Sequence, residues 1–171
     1  MKRTALILAS AAFAAGSAFA QAPNDAQIAH IVVTANQVDI DAGKLAEKQG
    51  SNAEVKKFGH MMVTDHSGVN KQATDLAKKL GVKPEDNATS QSLKSGGDAN
   101  VKKLKTLKGA AFDKAYVDQE VAYHQAVLDA IDKVLIPNAQ NAELKALITK
   151  VRPAIDGHLQ HAKMMQASLG K

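Results

Sequence analysis

The sequence predicts an all-α fold, an antiparallel four-helix bundle, from three observations. Apolar residues recur at intervals of three and four through four long segments, the period of a helix with one buried face. No segment shows the period-two alternation of a half-buried strand. Two connections are short and one is long, as in a bundle with antiparallel neighbours and one crossing.

The first helix is read from Asp25 to Gly50, where Ile28, Ile31, Val32, Ala35, Val38, Ala42, Leu45 and Ala46 form the apolar stripe. Gly50-Ser51-Asn52 supplies a terminating glycine and a polar cap. Val55, Phe58, Met62, Val69, Ala73, Leu76 and Leu80 carry a second helix that ends at Gly81. From Val82 to Gly97 the periodicity fades among Pro, Asn, Ser and Gly, which predicts a crossing loop, followed by a short helix from Asp98 to Lys108. Phe112, Tyr116, Val117, Val121, Val127, Leu128, Ile131 and Leu135 define the third long helix, stopped by Pro137-Asn138. The fourth opens at Asn141 with Leu144, Leu147, Ile148, Val151, Ile155, Leu159, Ala162, Met165 and Leu169 on its face, and Pro153 should kink or split it.

Ahead of these helices stand the three parts of a cleavable secretory signal. Lys2 and Arg3 precede an apolar run from Ala5 to Phe19, and Ala18-Phe19-Ala20 leads to Gln21. The run is too short for a bilayer span, which takes roughly 20 apolar residues. The expected layout is therefore a signal over residues 1–20 and one mature domain over 21–171, soluble, without a membrane anchor, in the periplasm or secreted. Loss of Lys2 and Arg3 lowers the formal charge from +5 to +3. The remaining lysines are dispersed and only 4% of residues are aromatic, which argues against a nucleic-acid partner. With no cysteine, disulfides and thiolate chemistry are excluded, so any metal must be held by His, carboxylate or Met.

The informative residues are ionisable groups on the apolar stripes, because burying an unpaired charge is costly. Asp39 shares the stripe of Ala35, Ala42 and Ala46. His66 lies with Met62, Val69 and Ala73, with Asp65 at the edge. His124 lies among Val117, Val121, Leu128 and Ile131, one turn after Glu120, and His158 among Val151, Ile155, Ala162 and Met165, with His161 nearby. Facing His and carboxylate groups are how bundles build metal sites. The paired Glu-x-x-His motifs of a di-iron carboxylate centre are missing, so the expected site is mononuclear, for zinc, copper or iron, held by Asp39, His66, His124 and His158 with Asp65, Glu120 and His161 as neighbours. The competing reading makes each histidine a core residue hydrogen-bonded to a carboxylate or carbonyl. Helix heights bring Asp39 and His66 together but leave His124 and His158 at different distances from a turn at Pro137.

His30 and His60 read as solvent-exposed, and the Met61-Met62 and Met164-Met165 pairs as core filling in preference to a soft-metal site. Tyr116 and Tyr123, on either side of Glu120, read as structural. Neither a Ser-His-Asp set nor a phosphate-binding glycine loop occurs, and Gly96-Gly97 is an isolated pair. A binding protein is expected in preference to an enzyme.

Several strings resemble one family: Asp39-x-x-x-Gly43-Lys44-Leu45-Ala46, Val55-Lys56-x-Phe58, Met62-Val63-x-Asp65-His66, Phe112-Asp113-x-x-Tyr116-Val117 with His124, and Pro153 with His158-Leu159. Together they are similar to domain-of-unknown-function family 4142, over nearly the whole mature chain. The resemblance implies an exported, ferritin-like four-helix bundle and no particular activity. Asp39 stands where a glutamate is expected, one methylene shorter in its reach. The functional expectation is a periplasmic bundle with a metal ion inside, for metal handling or envelope stress; the alternative is a structural or interaction module without one.

Overall fold

The computed structural model describes residues 22–169, so the signal read over residues 1–20 lies outside the described residues. Within them the chain is all-helical, with no strand. The helices are α1 (Asp25–Gln49), α2 (Ala53–Lys79), α3 (Ala88–Lys105), α4 (Gly109–Ala130), the one-turn α5 (Ile136–Asn138) and α6 (Ala142–Leu169), with a π-helical stretch, Ile131–Leu135, between α4 and α5. Among the described residues no helix is long and apolar enough to cross a membrane.

α1 starts at Asn24, whose side chain accepts from the Gln27 amide while Gln27 reaches back to the Asn24 amide, a reciprocal cap. It packs along α2, with Gly43 close against Gly59. A Cβ on Gly43 would stand 2.8 Å from the Gly59 carbonyl, and one on Gly59 would stand 2.7 Å from that of Gly43. The two backbones approach this closely because neither carries a side chain. α2 ends as expected: Gly81 takes a left-handed φ of 64° while the Val82 amide bonds back to Ala77. Gly50, by contrast, has φ −52°, so its requirement is space: a Cβ there would lie 2.7 Å from the Ala46 carbonyl.

The expected loop from Val82 to Gly97, with a short helix after it, is corrected. α3 already begins at Ala88, capped by Asn87, whose side chain accepts from the Ser90 amide as Ser90 returns a bond to the Asn87 amide. Its buried residues are Ser90, Gly97 and Leu104, spaced by seven, so a serine and a glycine stand where a periodic apolar pattern would be sought. A Cβ on Gly97 would meet the Val38 side chain at 2.7 Å, hence the glycine. α3 lies alongside α1 from Asn87, bonded to the Gln27 carbonyl, to Lys108 beside Gln49. The crossing segment is thus itself a helix, on the outside of the hairpin.

Carboxylates fasten both ends. Buried Asp113 on α4 accepts from the Ser51 amide, the Asn52 amide and the Ser51 hydroxyl at the α1–α2 turn. Asp25 accepts from the amides of Gln140 and Asn141, each at 2.9 Å, at the turn into α6. α4 and α6 pair antiparallel, shown by Gln166 bonded to Asp118 and by Arg152 on Asp132. α6 runs unbroken through Pro153, so the expected split does not occur. The chain also does not reverse at Pro137, because α5 carries it one turn further.

The interior is two apolar cores. Ile28, Ile31, Val32, Leu128, Ile131, Leu135, Ile148 and Ile155 belong to one. Val55, Phe58, Met62, Leu104, Phe112, Tyr116, Val117 and Met165 belong to the other. Between them, at mid-height, is a polar layer.

Candidate functional site

The polar layer collects buried ionisable groups from four helices: Asp39 from α1, His66 from α2, Glu120 and His124 from α4, and His158 from α6, none more than 6% exposed. All four residues expected at the site therefore meet. His124 and His158, the doubtful pair, come together because the reversal is centred near Asn141, leaving them equidistant from it in sequence. The three imidazoles form a nearly regular triangle, with ring centroids 5.7 Å (His66–His124), 5.4 Å (His66–His158) and 5.5 Å (His124–His158) apart.

Each ring has one nitrogen engaged. His66 Nδ1 is 2.7 Å from Asn36 Oδ1, and the Asn36 amide group donates to the Val32 carbonyl, so Asn36 presents its oxygen and His66 Nδ1 is the donor. His124 Nδ1 donates to the Glu120 carbonyl at 3.0 Å, and the Glu120 carboxylate stands 3.3 Å from the same nitrogen. His158 Nε2 donates to Asp65 at 3.0 Å. The remaining nitrogens, His66 Nε2, His124 Nε2 and His158 Nδ1, are buried without a hydrogen-bond partner among the described residues. The three histidines offer ligand atoms all within 4.8 Å of one another, and so, separately, do Asp39, Glu120 and His124.

Asp39 Oδ2 lies 3.4 Å from His66 Nε2 without forming a hydrogen bond. Donors on a tetrahedral ion with arms of about 2.0–2.1 Å stand about 3.4 Å apart. The shorter aspartate side chain thus reaches His66, and its ligand atom also lies within 4.8 Å of one from His124.

Burial, with the neighbouring His124 and His158, holds His66 down to about 3, and burial likewise lowers His158. Both rings are neutral at pH 7, which leaves a lone pair on each inward nitrogen. Burial works against charge on His124 too, but Asp39 and Glu120 outweigh it and raise that ring to about 9. Asp39 is itself pushed well above the usual carboxylate range, by burial and then by Glu120. A cation binding in the layer therefore competes with protons, since burial and neighbouring carboxylates favour the protonated forms of His124 and Asp39.

The neighbours divide. Asp65, half exposed, orients His158 from outside. Glu120 is more central than its place as a neighbour implied, 1% exposed and beside Asp39. His161 is not part of the layer: it lies in the second core's region, its ring 5.1 Å from Phe58. Asn36 was missed; its signal was its position on the Val32–Asp39 stripe, a buried amide among apolar residues. His60 is exposed as expected, paired with Glu47, whereas His30 is half-buried beside Asp86. Met62 and Met165 fill the core and Met164 is exposed. Tyr123 donates to the Ala35 carbonyl, a structural role. Burial, reinforced by Glu120 and Asp39, raises the Tyr116 phenol well above its usual value.

Residues 9–165 match the family described as a domain of unknown function, DUF4142. The chain belongs to the DUF4142 family. No curated protein and no solved structure matched the chain. The family's description carries no activity, so for this DUF4142 chain any function must be argued from its own polar layer.

Proposed function

We propose that this chain is an exported, ferritin-like four-helix bundle that holds one divalent transition-metal ion, zinc, copper or iron, between its two apolar cores. In this reading α1, α2, α4 and α6 are the four helices and α3 is the crossing connection. The ligands are His66, His124 and His158 with Asp39, and Glu120 stands behind them. The role is metal handling in the periplasm, with no catalytic step assigned.

One observation carries the reading: three buried imidazoles each have one nitrogen oriented by an acceptor and the other unbonded, and each ring offers a ligand atom within 4.8 Å of those of the other two. Metal-ligating histidines are held in this way, the second nitrogen donating to a carboxylate, carbonyl or amide oxygen. A purely structural role accounts for the engaged nitrogens, but it leaves three buried polar atoms unsatisfied at once, each worth roughly 1–3 kcal/mol of lost solvation. Charge favours a single ion. Two carboxylates balance one divalent cation, whereas two cations would leave excess positive charge in the core.

The test is metal analysis of tag-free protein recovered from the periplasm, with thermal melts before and after chelation. The reading expects a bound first-row metal, a chelator-sensitive melting temperature, and an intact mass that begins at Gln21. A metal-free protein whose melt ignores chelator supports the structural module instead. Retention of residues 1–20 in a membrane fraction overturns the exported, released form.

A further inference from the structure

Above the polar layer, within the first apolar core, the structure contains a cavity of about 40 Å³. Its walls include Val32, Val69, Ile131, Val151 and Ile155, and Asp39 and His66 close one end. Since one water occupies about 10–15 Å³ measured in this way, the space suits a molecule of two or three heavy atoms. Water needs two to four polar partners, and polar atoms are confined to the end at Asn36, Asp39 and His66, so the aliphatic remainder is built for an apolar guest. At the polar end lies His66 Nε2, buried and unbonded.

A second observation comes from the backbone. The π-helical stretch Ile131–Leu135 interrupts an otherwise regular α-helical hairpin, and two of its residues, Ile131 and Leu135, line this cavity. Such stretches recur beside functional sites because the wider turn displaces side chains from their α-helical positions. Val69 and Val151, which also line the cavity, are only half-buried, so it lies close to solvent on that side.

We propose that this cavity is a binding site for a neutral diatomic gas of the size and polarity of dioxygen, set against the metal ligands Asp39 and His66. The inference rests on the metal reading above. A gas molecule in the cavity stands beside the ligands Asp39 and His66, and the aliphatic lining disfavours charged molecules. Only binding is proposed.

The cavity and the metal are tested separately. With metal-free mature protein, methyl NMR spectra under xenon pressure should show shifts confined to the methyls of Val32, Val69, Ile131, Val151 and Ile155. Val69→Phe should abolish the shifts at the other residues, and the milder Val69→Ile, which keeps the fold if phenylalanine does not, should reduce them. Absence of shifts in the wild type, or shifts unchanged in both variants, overturns the proposal. Iron(II)-loaded protein should then give a half-integer-spin iron–nitrosyl signal with nitric oxide, weakened in Val69→Phe or Val69→Ile at equal iron content. Iron uptake without a nitrosyl signal overturns the gas site and leaves the metal reading standing. Failure to take up iron, copper or zinc at all overturns the metal reading and the proposal with it, whatever xenon shows.

Discussion

Replacing Gly59 with alanine tests whether the close approach of α1 and α2 positions the polar layer. The new Cβ would lie 2.7 Å from the Gly43 carbonyl oxygen, 2.8 Å from the Glu47 amide nitrogen and 2.9 Å from Ala46 Cβ, while ordinary contact begins at 3.4 Å. Two of these atoms are backbone, so the helices themselves must separate, by roughly 0.7 Å at the shortest contact (2.7 to 3.4 Å). Overpacking of this kind costs about 1–3 kcal/mol, offset by about 0.8–1 kcal/mol of improved helix propensity. Gly68 on the same helix supplies the control, since a Cβ there meets nothing within 4 Å and only the propensity gain remains. The difference between Gly59→Ala and Gly68→Ala therefore isolates packing, at about 1–3 kcal/mol, or roughly 2–12 °C in melting temperature for a chain of this size. Thermal and urea melts of the two variants measure it. Metal response should also weaken in Gly59→Ala alone, because Asp39 and His66 sit on the two helices being parted. Equal stabilities for the two variants would refute the claim that the glycine pair sets the spacing.

Three further outcomes follow from the same geometry. Asp113→Ala removes the charged acceptor of two turn amides and a hydroxyl and should destabilise by about 1.5–3 kcal/mol in urea melts, since charge-assisted bonds from a buried carboxylate are lost; a loss of a few tenths would mean the turn holds itself. Leu128→Ala should cost about 2–5 kcal/mol in the same assay, as the side chain is 5% exposed in the first core, and a negligible change would contradict its placement there. His124, raised to about 9 from 6.5, contributes stability that is complete below pH 6.5 and lost as pH rises through 9, and Asp39, also raised, acts in the same direction. Metal-free protein should therefore melt lower as pH climbs from about 6.5 to 9 while metal binding tightens, and the fall should be shallower in His124→Gln than in wild type; an equal fall in both would refute the role of His124.

The helices with continuous aliphatic stripes were legible from spacing alone, as were the four residues that converge, because an ionisable group on such a stripe has few places to go but inward. α3 was hidden because its buried face is Ser90 and Gly97 as well as Leu104, and Gly97 is there for contact with Val38, a neighbour remote in sequence. The height of His158 relative to His124 depended on where the chain turns. Pro137 marks a helix stop locally, but it sits in the first turn of α5, and the reversal falls beyond it. Asn36 was passed over because its role exists only once His66, thirty positions away, is packed against it. His161 was assigned by sequence proximity to His158, but it lies nearly one turn further along α6, with its ring against Phe58.

The most direct test of the central claim is a Zn²⁺ titration of metal-free, tag-free mature protein, read as stoichiometry and as melting temperature, in wild type and in His66→Gln, His158→Gln and His60→Gln. If the polar layer is the site, wild type and His60→Gln bind one ion per chain and gain about 2.7 kcal/mol at a hundredfold excess over Kd, roughly 5–11 °C in melting temperature. His66→Gln and His158→Gln, folded and cooperative by circular dichroism, lose that gain. A gain of equal size in all four proteins, or its loss in His60→Gln alone, would contradict the account and move the metal to the surface.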